Sequence, residues 1–409
     1  MLSICLYLHA HQPFRLKNFS VFDIGNDSPY FDDEKNKEYL TRIVRKSYLP
    51  TNKILLDLIK DTKGKFKVSF SITGVLLEQL EKDFPEVIKS FQDLIDTGCV
   101  EILSETYYHS LAYLYSKEEF RKQINLHKKK IKELFDYTPE VFRNTELMFN
   151  NEMAKFISKM GYKGILAEGA DHILGWRSPN FLYQPKGSKI GLLVKNYRLS
   201  DDIAFRFSTP SWKGYPLTAD KYASWINNAH GNGEIVNLFM DYETFGEHQW
   251  KETGIFEFLK VFPYEILKNP ENDFKTPSEI ISSSEPAGEL DYPHIVTWAD
   301  TERDLSAWLG NKIQQSAIKE IYSLEKEIIA IKDKKLTEDW RKLQISDHFY
   351  YMCTKWFADG DVHKYFNPYE NPYDAFITCM NIINDLKLRI ETKKIKISPG
   401  FADTKPIIV

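Results

Sequence analysis

The feature that most constrains this chain is a repeated pairing of a short apolar run with an amphipathic helical pattern. The apolar runs are LSICLYLHAH (2–11), KFKVSFSITG (65–74), CVEILSE (99–105), EVFRNTE (140–146), YKGILAEG (162–169), KIGLLVKN (189–196) and EIVNLFMDYE (234–243). Among the helical patterns are TNKILLDLIKDTKG, opened by a Thr cap and closed by Gly, EVIKSFQDLIDTG, SKEEFRKQINLHKKKIKELF and NEMAKFISKMG. Strands that alternate with helices predict a parallel α/β sheet, and near-continuous apolar strands predict a sheet covered on both faces. Many of the runs end on reactive side chains: His9 and His11, Glu105, Glu146, Glu168, then Asp241 and Glu243. Chemistry at successive strand C-termini is the pattern of a (β/α) barrel. An open doubly wound sheet would gather its site at one crevice, commonly with a Gly-rich phosphate turn, and no such turn is found. Seven strands leave the barrel one short of the usual eight.

From about residue 268 the texture changes. KNPENDFKTPSEIISSSEPAGELDYP reads as a long loop or linker. Residues 301–333, 337–357 and 373–393 read as helices. The expected organisation is an incomplete (β/α)7 TIM-like barrel over 1–280, followed by a C-terminal helical domain over 281–409 that completes the active-site cleft.

Composition narrows the function. A net charge of −4 gives no bulk attraction to nucleic acid or to an anionic membrane. The 23 Tyr, 27 Phe and 8 Trp suit core packing, with a minority of rings free to line a groove against the flat faces of sugars. Cys5, Cys99, Cys353 and Cys379 form no C-x-x-C pair, so buried thiols in a reducing compartment are expected. No apolar run reaches the length of a membrane span, and the N-terminus lacks the features of a leader. These points together predict a cytoplasmic protein.

Each reactive residue has a bland reading beside the functional one. Glu146 could simply pair with Arg143, yet two or more carboxylates at corresponding strand ends suit acid/base work or glycoside hydrolysis better. In GCVEILSETYYHSL, strand alternation puts Glu101, Leu103 and Glu105 on one face, with Tyr107, Tyr108 and His109 following in the loop. These last three could be a sugar-binding wall or an exposed turn. In VTWADTERDLSAWLGN the acids could serve a helix N-terminus, or Trp298 could stack on substrate while Asp304 accepts hydroxyl hydrogen bonds. The H-x-H of His9 and His11 is also how some barrels hold a divalent metal. His109 and His248 lie where further ligands would be needed, although the other strand ends offer mostly Glu, Asp and Asn.

In order, HAHQP, GCVEILSETYYHSL, FRNTEL, FMDYETFGEH and WADTERDLSAWLGN resemble the five sequence regions of glycoside hydrolase family 57, across residues 9 to 311. The resemblance implies an incomplete (β/α)7 barrel followed by a helical domain, and activity on α-1,4-glucans. It implies Glu146 as nucleophile, Asp241 as general acid/base, His11 as a subsite residue, Glu101 and Asp304 as supporting polar groups, and no metal or other cofactor. His9, Glu105, His109 and Glu243 are assigned to substrate binding on sequence position. The implied reaction is a retaining double displacement, for which Asp241 needs a raised pKa to start protonated. The length resembles the compact α-amylase-like members, with 4-α-glucanotransferase or branching activity as the alternative. Two further readings belong to other classes: a metal-dependent carbohydrate deacetylase, and a silent glucan-binding protein.

Overall fold

The computed structural model describes residues 1–355 and 367–397. The end of the helical stretch expected over 337–357 lies outside the described residues. The chain forms two compact units. The first comprises Met1–Gln12, Lys37–His109 and Glu118–Leu305, and the second Pro13–Asn36, Ser110–Lys117 and Ser306–Val409.

The first unit is α/β, with parallel strands and intervening helices. Its principal strands are β1 (Leu2–Ala10), β2 (Val68–Ile72), β3 (Val100–Ile102), β4 (Val141–Arg143), β5 (Gly164–Glu168), β6 (Gly191–Lys195), β7 (Ile235–Asp241) and β8 (Asn272–Phe274). β1 pairs in parallel with β2, β7 and β8, and β2 pairs with β3. A second sheet has the order β4-β5-β6, also parallel. A parallel bridge between Ser104 and Phe142 joins β3 to β4. Between β6 and β7, the Asn196 amide donates to the Asn237 carbonyl at 2.9 Å, and the Asn237 side chain donates to the Val194 carbonyl at 2.9 Å.

The period-2 alternation of a strand divides the interior in two. Leu2, Ile4, Leu6, Leu8 and Ala10 of β1 pack into a core with helical residues such as Leu55, Leu76, Leu80 and Phe91. Cys5 and Tyr7 face the other way, into a cluster with Leu103, Val141, Leu166, Leu193, Ile235 and Phe239. The same alternation continues to the strand ends. His9, Glu105, Arg143, Glu168, Lys195 and Asp241 therefore extend the face of that second cluster. The four cysteines are buried and form no disulfide among the described residues.

Two boundaries differ from the sequence reading. The segment 268–293 is not a linker: β8 pairs with β1, the helix Pro277–Ser283 carries a Thr276/Glu279 capping box, and Glu289–Leu290 pairs with Gln184–Pro185. Its polar composition belongs to helix caps and short edge strands, so the first unit runs to Leu305 rather than 280. The second unit also takes up residues 13–36, whose Tyr30 hydroxyl and Gly25 amide both donate to Asp385. Its elements from Ser306 to Ile397 are helices. They include Lys312–Ser323, Lys334–Lys342 and Pro372–Ile397, with Trp340 buried and donating to the Ile321 carbonyl at 2.8 Å. Among the described residues no helix is long and apolar enough to cross a membrane.

Candidate active site

At the C-terminal ends of β1, β3, β4 and β7 the side chains form one continuous chain of polar contacts. Asp241 Oδ1 lies 3.6 Å from His9 Nδ1, and His9 Nε2 lies 3.3 Å from Glu105 Oε2. That same oxygen is 3.4 Å from His109 Nδ1, and His109 Nε2 is 3.0 Å from Glu146 Oε1. The other oxygen of Glu146 accepts the indole N–H of Trp298 at 2.7 Å. Glu105, which has no exposure, thus bridges two imidazoles, each of which faces a second carboxylate. The rings of His9 and His109 stack at 4.9 Å, and His109 stacks on His11 at 4.2 Å.

The backbone that carries these groups is unusual. EVFRNTE is a strand only as far as Arg143. Glu146 lies three residues further on, in a tight turn with φ 56°, followed by Leu147 at φ 51°. His109 also has positive φ, at 47°. Non-glycine residues held there cost of order 1–3 kcal/mol each and persist where surrounding contacts over-determine them. Here the contacts are visible. Thr106 and Thr145 hydroxyls bond at 2.8 Å, and the Trp298 amide donates to the Glu146 carbonyl at 3.2 Å. His127 accepts the Glu105 amide at 3.3 Å while donating to the Ile72 carbonyl at 2.8 Å, so it is a structural histidine.

Electrostatics separates the carboxyls. Burial pushes Glu146 up, but the hydrogen bond and charge of His109, then Arg143 and Trp298, outweigh it and hold the group below its ordinary range. Glu105 is driven well below its ordinary value by His9, His109 and Arg143, against the effect of burial. His109, in spite of burial, is raised to about 9 by Glu105 and Glu146. Asp241 departs from the expectation. Burial raises it, but His9, then the charges of His248 and Arg143, bring it below the usual carboxylate range. Its side chain is 40% exposed, against 20% for Glu146. In the free protein, then, the environment favours ionised Asp241, not the protonated form expected of an acid.

Trp298 is partly exposed and has two cations near its ring. Arg143 lies over its ring at 4.9 Å and Lys195 at 5.4 Å, while Arg303 donates to its carbonyl at 2.6 Å. Arg143 does not pair with Glu146; its nearest carboxylate is Glu105, at 4.0 Å. Around Trp298, Glu168 is 3.8 Å from Lys195 and 3.4 Å from Arg303, and burial raises it to about 7.

The other expected site residues are not links in this chain of contacts, although the His11 ring stacks on His109. His11 Nδ1 bonds Thr73 Oγ1 at 2.9 Å, so the H-x-H pair does not converge on one point. Glu101 lies four residues before Glu105 and accepts both the amide and the hydroxyl of Ser278, at 2.9 and 3.0 Å. It serves the first turn of the helix Pro277–Ser283. Glu243 is buried beneath Asp241, accepts from Tyr48 and from Gln12, and is pushed up to about 8 by burial and the Asp241 charge. Asp304 is exposed, and its carbonyl accepts the Thr297 hydroxyl. Sequence reasoning missed the roles of Arg143, Lys195 and Arg303. Arg143 and Lys195 carried a usable signal: each is a cation at the end of an apolar strand, on its inward face.

A cluster of paired carboxylates and imidazoles at parallel strand ends suits general acid/base chemistry. The comparisons are specific. Residues 5–293 match the model of glycosyl hydrolase family 57, and the chain belongs to that family; it is a glycosidase. A Methanocaldococcus jannaschii protein whose name proposes an α-amylase is 45% identical over 95% of this chain and 85% of its own length. The 4-α-glucanotransferase of Thermococcus litoralis is 23% identical over 70% of this chain, and the match spans only 39% of that protein. The branching enzyme of Pyrococcus horikoshii superposes with a TM-score of 0.65 at 15% identity, over 100% of this chain and 98% of that one, which speaks to the fold alone.

Proposed function

We propose that the chain is a retaining glycosidase of α-amylase type acting on α-1,4-glucans, with Glu146 as nucleophile and Asp241 as acid/base. The observation that carries this is the chain of polar contacts Asp241–His9–Glu105–His109–Glu146, which links two carboxylates 95 positions apart in sequence. We read the first unit as an incomplete (β/α)7 barrel. The order β1-β2-β3-β4-β5-β6-β7, with β7 back beside β1, supports that reading.

In this mechanism Glu146, held ionised by His109 and Trp298, attacks the anomeric carbon as the glycosidic bond breaks. Asp241 gives its proton to the leaving oxygen. Asp241 then takes a proton from water, whose oxygen displaces Glu146 from the sugar. The acid step requires Asp241 to gain a proton on binding. A glucan laid over its exposed oxygen removes solvent there, which favours the neutral form. Retention corresponds to a carboxyl separation of about 5–5.5 Å.

The test is product analysis on amylose and maltooligosaccharides. Asp241→Asn and Glu146→Gln, shown to be folded, are expected to lose about 10²–10⁴-fold or more in turnover. Reducing-sugar release without longer oligosaccharides means hydrolysis, and a ladder of longer products means transfer. Near-normal turnover in both variants would sink the assignment.

A further inference from the structure

We infer that His9 Nε2, His109 Nδ1 and Glu105 Oε2 form a binding site for one zinc-class divalent cation, and that filling it turns the glycosidase off. The second half rests on the function proposed above; the first does not. The three ligand atoms lie within 4.8 Å of one another, and all three residues are buried. The two contacts to Glu105 measure 3.3 and 3.4 Å. That is long for a charge-assisted N–H···O bond, about 2.7–2.9 Å. These two separations match the ligand-to-ligand edge, about 3.3–3.4 Å, of a tetrahedral centre with bonds of about 2.0–2.1 Å, and the separation between the two imidazoles lies within 4.8 Å.

A second observation is independent of those distances. An imidazole that binds a metal usually donates its other ring N–H to a carboxylate, which fixes its tautomer and orientation. His109 is built that way, its Nε2 lying 3.0 Å from Glu146, and His9 Nδ1 faces Asp241 at 3.6 Å, beyond direct hydrogen-bond reach. Glu105 Oε1 is buried without a hydrogen-bond partner. Two imidazoles and one carboxylate, with a fourth position open, make a zinc donor set. His11 is directed to Thr73 instead, so the pair that binds is His9 and His109, not His9 and His11. The buried Arg143, 4.0 Å from Glu105, opposes the cation and makes the site one that fills and empties rather than a permanent centre.

A doubly charged ion here sits one imidazole away from both reacting carboxylates. It stabilises the negative charge of Glu146, which must be given up when its oxygen bonds the anomeric carbon.

Chelator-treated protein is titrated with zinc chloride by calorimetry and with cobalt(II) by visible absorption. One ion per chain is expected, with the intense band of four-coordinate cobalt. His9→Gln, His109→Gln and Glu105→Gln each weaken binding at least tenfold, Glu105→Asp weakens it less, and His11→Gln retains it; circular dichroism checks folding. Maltooligosaccharide turnover of the wild type falls in step with zinc occupancy. The absence of stoichiometric uptake, or uptake indifferent to the three substitutions, overturns the site. Turnover that rises with zinc overturns the inhibition. If instead the Glu146 and Asp241 variants keep their turnover while zinc binding behaves as expected, the glycosidase assignment fails and the cation site stands.

Discussion

Trp298 shows how one side chain does different work from what its type suggests. Its ring has two cations near it, and its indole N–H holds Glu146. Trp298→Phe keeps the ring and removes the donor. Loss of a hydrogen bond to a charged group costs about 1.5–3 kcal/mol, so a fall of about 10–100-fold in kcat is expected. Glu146 must be ionised to attack, and the lost donor raises its pKa. The acidic limb of the pH-rate profile should therefore move to higher pH; an unmoved limb would refute the role. Glu243 makes the opposite kind of prediction. Its folded-state pKa of about 8 lies above the ordinary 4.5, so its contribution to stability is full below about 4.5 and is lost as pH rises toward 8. Glu243→Gln should match the wild type in melting temperature at pH 5 and exceed it at pH 8.

At the scale of elements, the site depends on how the loop after β3 is pressed onto the helix that follows β2. Gly74 opens the helix Gly74–Asp83, and a Cβ there would meet the Tyr107 ring at 2.3 Å. The Val75 amide also donates to the Tyr107 carbonyl at 3.1 Å. Tyr107 lies between Glu105 and His109. Gly74→Ala must push that loop outward, an overpacking that costs about 1–3 kcal/mol. The expected result is a lower melting temperature together with a kcat loss measurable even where the variant is fully folded. A variant with wild-type turnover would show that the loop is not held in this way.

At the scale of the molecule, two units have separate interiors. In the second, Trp340 is buried with its indole N–H satisfied by Ile321. Trp340→Ala is expected to lower stability by about 3–5 kcal/mol in urea denaturation. A loss under 1 kcal/mol would mean that this helical interior is not close-packed. The division also shows why chain order misled the domain boundary. Residues 13–36 leave the first unit because the Gly25 amide and Tyr30 hydroxyl are satisfied by Asp385, more than 350 positions away.

The sequence by itself determined the parallel α/β character and the placing of His9, Glu105, Glu146 and Asp241 at or just past strand ends. These follow from local periodicity, because alternation along a strand commits a side chain to one face wherever the neighbouring strands lie. It left two things undecided, that Glu101 would serve a helix start and that the His9 ring would lie nearer His109 than His11, and its expectation of a protonated Asp241 was reversed. Each of these depends on groups brought close by strand pairing and loop closure. Coulomb and hydrogen-bond energies act through distances in space, and spacing along the chain does not encode those distances.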